Sequence, residues 1–393
     1  MKKNSNINMN SNHSKKRIWA LAGMFFLGSF AVINQKFLFE IYGYGRPQYG
    51  YHRWRKPWFF STGAAFGMSL ALIVYEIQKC FDKTIYHKLS NRKLFFIAIP
   101  SFCDLLASVL SNISVLYLDV SVVLMLRGST VLFTGLISFF YLHRRMYSYH
   151  WFAIAIVLVA LMLVSTSAVM SRNSYIHENK SDKKTIHHKK SGIGFTIAGI
   201  LIKIGSKLLQ SIRLLIEEDL TQEQQIPSTL IVGIEGVWSV AFCSFIFLPI
   251  VHFLPGPEGN GIHEDFIDSC IMLTNNKTII CLFTLHILLM VLLTISSMIV
   301  TETTSAIFRT LFDLTRIIFV WAVQIILHYS MKNTRLENKF GKIGERWTNW
   351  SFMQLFGFAL LIVGLFIYGK QIRIPCLAYP KDYSIKTSRK SVA

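Results

Sequence analysis

Arg127 stands alone among apolar residues: 122–142 reads VVLMLRGSTVLFTGLISFFYL and holds no other charge. An arginine at hydrocarbon depth costs at least about 2.5–3.5 kcal/mol, so it is expected to face a partner, a cavity or a pathway rather than lipid. Eight further ionisable residues fall inside apolar stretches: Asp104, Lys203, Lys207, Glu235, His286, Arg309, Asp313 and Arg316. Lys203, Lys207 and Gln210 recur at i, i+4 and i+7, as do Arg309, Asp313 and Arg316, so each set shares one helix face that must turn inward. Asp313 can pair with Arg309 four residues back or with Arg316 three ahead. No acid lies within reach of Lys203 or Lys207 on their own helix. Five Lys/Arg stand against three Asp/Glu in this set. A positive surplus in a low-dielectric cavity favours an anionic solute, and guanidinium forks and ammonium heads suit phosphates and carboxylates. Arg127, Lys203, Lys207 and Arg309 are therefore the expected solute-binding residues. Asp104, Glu235, His286, Asp313 and Arg316 are the expected groups that order the cavity or carry protons.

Apolar segments position these side chains. The chain has 393 residues, of which 52% are hydrophobic and 16% charged, against about 25% charged in a typical soluble domain. Ten segments approach the roughly 20 apolar residues that cross a bilayer core: 18–38, 58–78, 94–116, 121–142, 151–170, 192–214, 229–254, 278–300, 304–328 and 350–370. Trp19, Trp54, Trp58, Trp151, Trp347 and Trp350 fall at their ends, as interfacial aromatic belts do. An even number of spans puts both termini on one side. That side carries 19 Lys/Arg and the other 17, a lean toward cytoplasmic termini. The GxxxG of Gly63 and Gly67, the pair Gly128 and Gly135, and the heptad-spaced Gly357 and Gly364 read as helix-packing surfaces. Pro100 and Pro249 are expected to interrupt their helices.

Other function classes find little support. The net charge of +20 lies mostly in tails and loops, where it meets lipid head groups, and no basic face of a soluble domain suggests nucleic acid. The six Cys include no CxxC, which argues against zinc and against a disulfide framework. Loop 171–191, with His177, His187 and His188, reads as a solvated basic linker rather than a metal site. Loop 255–277 holds Glu264, Asp265 and Asp268, and its 262–273 part suits a short interfacial helix. His263 and Asp268 form an isolated HxxxxD, which keeps a membrane-embedded enzyme as an alternative, beside a non-transporting scaffold. P-loop, GxSxG, HExxH and Rossmann fingerprints are absent, and no cofactor is expected. Among the sequons, Asn179 lies in a long polar loop where a glycan would be accommodated.

Arg127 and Arg309 sit at equal depth in spans four and nine, 182 residues apart, and the same offset carries Asp104 to His286. The echo suggests two five-span repeats, and because five is odd the second copy is inverted. The string Met125-Leu126-Arg127-Gly128-Ser129, then Phe133-Thr134-Gly135-Leu136 and His143-Arg144-Arg145, resembles the F-type branch of solute carrier family 35 in the drug/metabolite transporter superfamily. Cys103-Asp104, Glu217-Glu218, Val232-Gly233 with Glu235-Gly236, and Arg309, Asp313 and Arg316 extend the resemblance over most of residues 20–370. It implies an EamA-like, all-α membrane fold of ten transmembrane helices as two inverted five-helix repeats, 18–170 and 192–370. A polar tail (1–17), a basic loop (171–191) and a basic tail (371–393) flank and join them. It implies alternating-access transport of a small-molecule solute, such as a nucleotide sugar or sugar phosphate, in an endomembrane (Golgi/ER or lysosome/vacuole). A homodimer is compatible with it. The chloroquine-resistance-type vacuolar carriers of amino acids, peptides or amphiphilic cations are a looser resemblance, since this chain has only Cys270 in the loop between spans seven and eight.

Overall fold

A computed structural model describes residues 2–81, 89–117, 126–141, 146–178, 193–253, 263–331, 347–372 and 374–375. Within these, the side chains at 2–14, 112–113, 115–117, 127, 168–169, 172–178, 193–196 and 331 are not described. The side chain of Arg127, that of His177, residues His143–Arg145, His187, His188, Asn179, Cys376 and most of the carboxyl-terminal tail thus lie outside what is described.

Helices dominate because apolar segments in lipid must satisfy every backbone polar group internally. They are α1 (Lys2–Glu40), α2 (Pro57–Ser69), α3 (Ala71–Phe81), α4 (Asn91–Phe96), α5 (Ala98–Tyr117), α6 (Ser129–Phe140), α7 (Ser148–Glu178), α8 (Ile193–Gln222), α9 (Ser228–Phe242), α10 (Leu248–Phe253), α11 (Phe266–Asn275), α12 (Lys277–Thr303), α13 (Ala306–Met331) and α14 (Ser351–Tyr368). Each of the ten expected spans coincides with one or two of them. Among the described residues, eight are long and apolar enough to cross a membrane. The other two are α6, which is apolar but only 12 residues long, and α8, which carries six charges between Lys203 and Asp219.

Both expected interruptions have local causes. Pro100 has no N–H to donate to Phe96, and the helix breaks at Ile97 between α4 and α5. Pro249 follows a five-residue π-turn, Cys243–Phe247, that joins α9 to α10 and absorbs the missing donor. Expected interfacial helix 262–273 is α11, shifted to Phe266–Asn275 and started by Asp265, whose side chain accepts from the Ile267 amide at 3.0 Å.

The helices pack in a regular scheme. α1 lies along α12, α5 along α8, α2 along α9 and α7 along α14; α1 also meets α13, and α8 meets α6. Written as spans, these pairs are one–eight, three–six, two–seven, five–ten, one–nine and four–six. Shifting every span by five exchanges the first two pairs, exchanges the last two, and returns the others to themselves.

Small residues set the closest crossings. A methyl group at Gly357 would meet Val164 Cγ2 at 2.8 Å, and one at Gly364 would meet Val157 Cγ2 at 2.7 Å. Gly67 faces the Ile287 carbonyl in the same way, and Gly128 faces Leu158 and Leu161. At Gly236 the approach is backbone on backbone: an added Cβ would strike the Ser69 amide and Met68 carbonyl of α2. Gly236→Leu is expected to force α9 off α2 and to destabilise the protein by at least about 1–3 kcal/mol, the range for overpacking, because backbone cannot swing aside. Thermal unfolding in detergent checks this, and a Leu variant as stable as the parent would contradict the crossing.

A hairpin closes the end opposite the start of α1. Strands β1 (Tyr42–Tyr44) and β2 (Tyr51–Arg53) pair antiparallel, Tyr42 opposite Arg53, and Gly50 at φ 63° turns the loop. The hydropathy pattern alone gave no indication of these strands.

Candidate functional site

A cavity of about 490 Å³ lies among α1, α2, α5, α6, α8, α9, α12 and α13. Its charged lining comprises Asp104 of α5, Lys207 and Arg213 of α8, and Arg309, Asp313 and Arg316 of α13. Gln35, Ser108, Thr130, Gln210, Ser239 and His286 add polar atoms, while Met24, Met68, Met290 and Leu314 supply apolar wall.

A chain of ion pairs runs behind and along this wall. Arg213 Nη1 donates to Asp104 Oδ1 in a short contact, and Arg213 Nε donates to Glu217 Oε1 at 2.6 Å. Arg309 Nη1 donates to the other oxygen, Glu217 Oε2, at 2.5 Å and to Thr301 Oγ1 at 3.0 Å. Glu217 is fully buried and bridges two guanidiniums from different helices. The chain therefore stitches α5, α8, α12 and α13 together.

The apolar run of span six ends at 214, which leaves Arg213 at its edge and Glu217-Glu218 beyond it. In the structure α8 continues through Gln222, which draws Arg213 and Glu217 into the bundle. The available signal was their i, i+4 spacing, the distance of a helical ion pair.

Of the nine expected residues, Arg127 has a side chain outside the described ones, and the other eight are distributed as follows. Lys207 and Arg309 line the cavity, as do Asp104, His286, Asp313 and Arg316. Lys203 is buried and donates to Ser111 Oγ at 2.6 Å, away from the described lining. Asp313 pairs with Arg316 at 2.9 Å, the i+3 alternative. Arg316 lies over the backbone of α1, where a methyl group at Gly28 would come within 2.7 Å of its Nη1. His286 stacks on Phe60 with ring centroids 3.6 Å apart and 19° between planes. Glu235 is buried beside the cavity, one helical turn from Ser239. Lys207 donates to Gln210 Oε1 at 2.9 Å. Among the described residues no group of His, Cys, Asp or Glu could hold a metal.

The acidic loop is a second centre of charge, and its chemistry is structural. Glu264 caps α2 from outside, accepting from the Trp58 and Phe59 amides at 2.8 Å each. Asp268 accepts from Lys56 Nζ at 2.6 Å, His52 Nε2 at 3.1 Å and the Arg46 amide at 2.6 Å. Both Lys56 and Asp268 are fully buried. The Asp268 of the HxxxxD string is thus committed to holding the hairpin onto α11. Asp265 takes Arg46 Nη1 at 2.8 Å. Burial pushes the Asp265 carboxyl up, yet the Arg46 bond and the Ile267 and Asp268 amides outweigh it and hold the group below the usual aspartate range.

A multi-pass membrane protein with a charged cavity enclosed by its helices is what this arrangement defines. No protein-family model matches the chain. It is similar over most of its length to proteins named Solute carrier family 35 member F6, as the motifs in spans three to nine suggest. The protein of that name from Rattus norvegicus is 25% identical over 360 residues, covering 88% of this chain and 87% of the relative. That from Homo sapiens is 23% identical over 325 residues, 81% and 79% of the two chains. An uncharacterised protein of Schizosaccharomyces pombe is 24% identical over 284 residues, 71% and 75%.

Proposed function

We propose that the chain is an endomembrane secondary carrier that moves a small organic anion by alternating access, with ten spans arranged as two inverted five-helix repeats and both termini in the cytoplasm. The observation that carries this reading is the cavity, whose described charged lining is four cations, Lys207, Arg213, Arg309 and Arg316, and two acids, Asp104 and Asp313, with Glu217 behind the wall taking Arg213 and Arg309. Its volume falls within the roughly 300–1,000 Å³ of small-molecule sites. The way six principal helix pairings map onto one another under a shift of five spans supports the repeats. The names of the relatives support solute carriage rather than catalysis.

In this reading Lys207, Arg309 and Arg316 present positive charge to the solute, and Arg127 and Lys203 extend the site on spans four and six. Glu217 orients Arg309, and Asp104 orients Arg213. A phosphate-bearing metabolite such as a nucleotide sugar or sugar phosphate matches forks and ammonium heads arranged in a dry wall.

Counterflow in proteoliposomes tests the assignment with UDP-glucose, glucose 6-phosphate and glutamate as probes and an amphiphilic amine as contrast. A lost charge-assisted hydrogen bond is worth about 1.5–3 kcal/mol, so Lys207→Ala and Arg316→Ala are each expected to weaken anion uptake by roughly 10- to 150-fold. Unaltered anion uptake in both variants, and in Arg127→Ala and Lys203→Ala, would remove the proposed site. Uptake of the amine in place of every anion would move the reading to the cation carriers.

A further inference from the structure

We infer that Glu235 is a proton-binding site that couples solute movement to proton movement. The inference rests on the carrier reading above and adds the co-transported ion. Glu235 is 1% exposed, and neither carboxylate oxygen has a hydrogen-bond partner among the described residues. The charges within electrostatic range are Arg213 and Glu217 of α8, Asp104 of α5 and Arg309 of α13. Both arginines are already engaged, Arg213 by Asp104 and Glu217, and Arg309 by Glu217 and Thr301. Among the described side chains, the remaining elements packed on α9 bring no counter-charge to it. α2 has no ionisable side chain, and on α3 Glu76 and Lys79 pair with each other. On α12, His286 stacks on Phe60, and Glu302 at the far end holds Lys16 and Ser228.

Three carboxyls therefore share two guanidiniums. With Glu235 ionised the described cluster carries one uncompensated negative charge, and a buried unpaired carboxylate neutralises rather than remain charged. With Glu235 as the acid the cluster balances. Ser239, one turn along α9, lines the cavity and brings solvent-accessible space within a helical turn of the carboxyl. A hydronium ion reaching Glu235 converts carboxylate to acid and leaves water; on the opposite side water takes the proton back, and nothing is oxidised or reduced.

The sign of the coupling follows from charge. An anionic solute entering beside Arg309 and Arg316 adds negative potential and favours the protonated acid, so proton and anion travel together. When the anion leaves and the arginines exchange partners, a freed guanidinium favours the carboxylate, and the proton is released.

The test uses the full chain in proteoliposomes loaded with pyranine, with membrane potential clamped at zero by valinomycin and equal potassium. The probes are again UDP-glucose, glucose 6-phosphate and glutamate. One coupled proton supports about tenfold accumulation per pH unit of gradient. The wild type is expected to reach that ratio with acidification of the lumen, and Glu235→Gln to reach a ratio of one. That ratio is fixed by the gradients and not by turnover, so a slow variant does not imitate the loss. Infrared spectroscopy of the purified protein at neutral pH supplies a solute-independent measurement. A deuterium-sensitive carboxylic-acid carbonyl band is expected in wild type, shifted in Glu235→Asp and missing in Glu235→Gln. If no probe moves while the band is present, the anion-carrier reading and the coupling fail and the proton site stands. If a probe accumulates without a pH change, or no band is sensitive to the substitutions, the proton inference is overturned and the carrier reading stands.

Discussion

Glu217→Ala is expected to be among the most destabilising single changes in this protein. The side chain is fully buried and takes one hydrogen bond from Arg213 at 2.6 Å and another from Arg309 at 2.5 Å. Its removal leaves Arg309 without a carboxylate and Arg213 with Asp104 alone, both largely buried. Breaking a buried pair by deleting one partner costs about 3–5 kcal/mol, far more than the pair's net contribution when intact. Glu217→Gln keeps an acceptor but loses the charge, so it is expected to fall between parent and Ala. Thermal unfolding in detergent, with the monodisperse fraction by size exclusion, gives the ranking. The pairing of Glu217→Ala with Arg309→Met should recover part of the loss, because the second change removes the cation left without a carboxylate. If the double variant is no more stable than Glu217→Ala alone, the bridge between α8 and α13 does not carry this energy.

The second large effect is expected at the opposite end of the bundle. Asp268→Ala takes the carboxylate away from a fully buried Lys56 ammonium and also from His52 and the Arg46 amide. A loss of about 3–5 kcal/mol is expected on the same grounds, concentrated in the hairpin. Hydrogen exchange across Tyr42–Arg53 should accelerate while exchange in α5 and α8 stays slow. A Gly45 backbone pressed against the Asp268 carboxylate explains why the hairpin answers directly: a Cβ there would collide with it. The neighbouring Asp265 adds a pH dependence. Its folded state favours the ionised form, so its stabilising contribution is fully present above the ordinary aspartate value of about 3.9 and is lost as pH falls through its lowered folded value. Hairpin protection is therefore expected to persist through mildly acidic pH and to fall away only below about pH 4. Asp265→Asn should remove that acid-side transition.

Much of the architecture was legible because lipid imposes a long apolar run on each crossing helix, and such runs survive without tertiary context. The break at Pro100, the widened turn before Pro249 and the close faces of Gly63, Gly67, Gly357 and Gly364 follow from single residues. The site was legible in part. Periodicity assigned Lys203 and Lys207 to one face of α8, but a period cannot say which neighbour that face meets, and Lys203 meets Ser111. Arg213 and Glu217 escaped because the apolar window ends near Leu214, whereas the helix runs on inside the bundle to Gln222. The question raised by Arg127, whether an acid holds it, is narrowed by the finding that Asp104 is held by Arg213. The hairpin was missed because three-residue strands carry no alternation long enough to read.

The Arg213–Glu217–Arg309 bridge has a consequence for how such a sequence can drift. A change at Glu217 alone leaves Arg309 without a carboxylate, and a change at either arginine alone takes one of the two partners of Glu217, so each single step is expected to weaken the fold. The three positions, with Asp104 beside them, are expected to change together or not at all. Two of them lie on one helix and a third lies 92 residues away. Their joint substitution pattern in distant relatives would therefore mark the contact between α8 and α13, even where overall identity has faded.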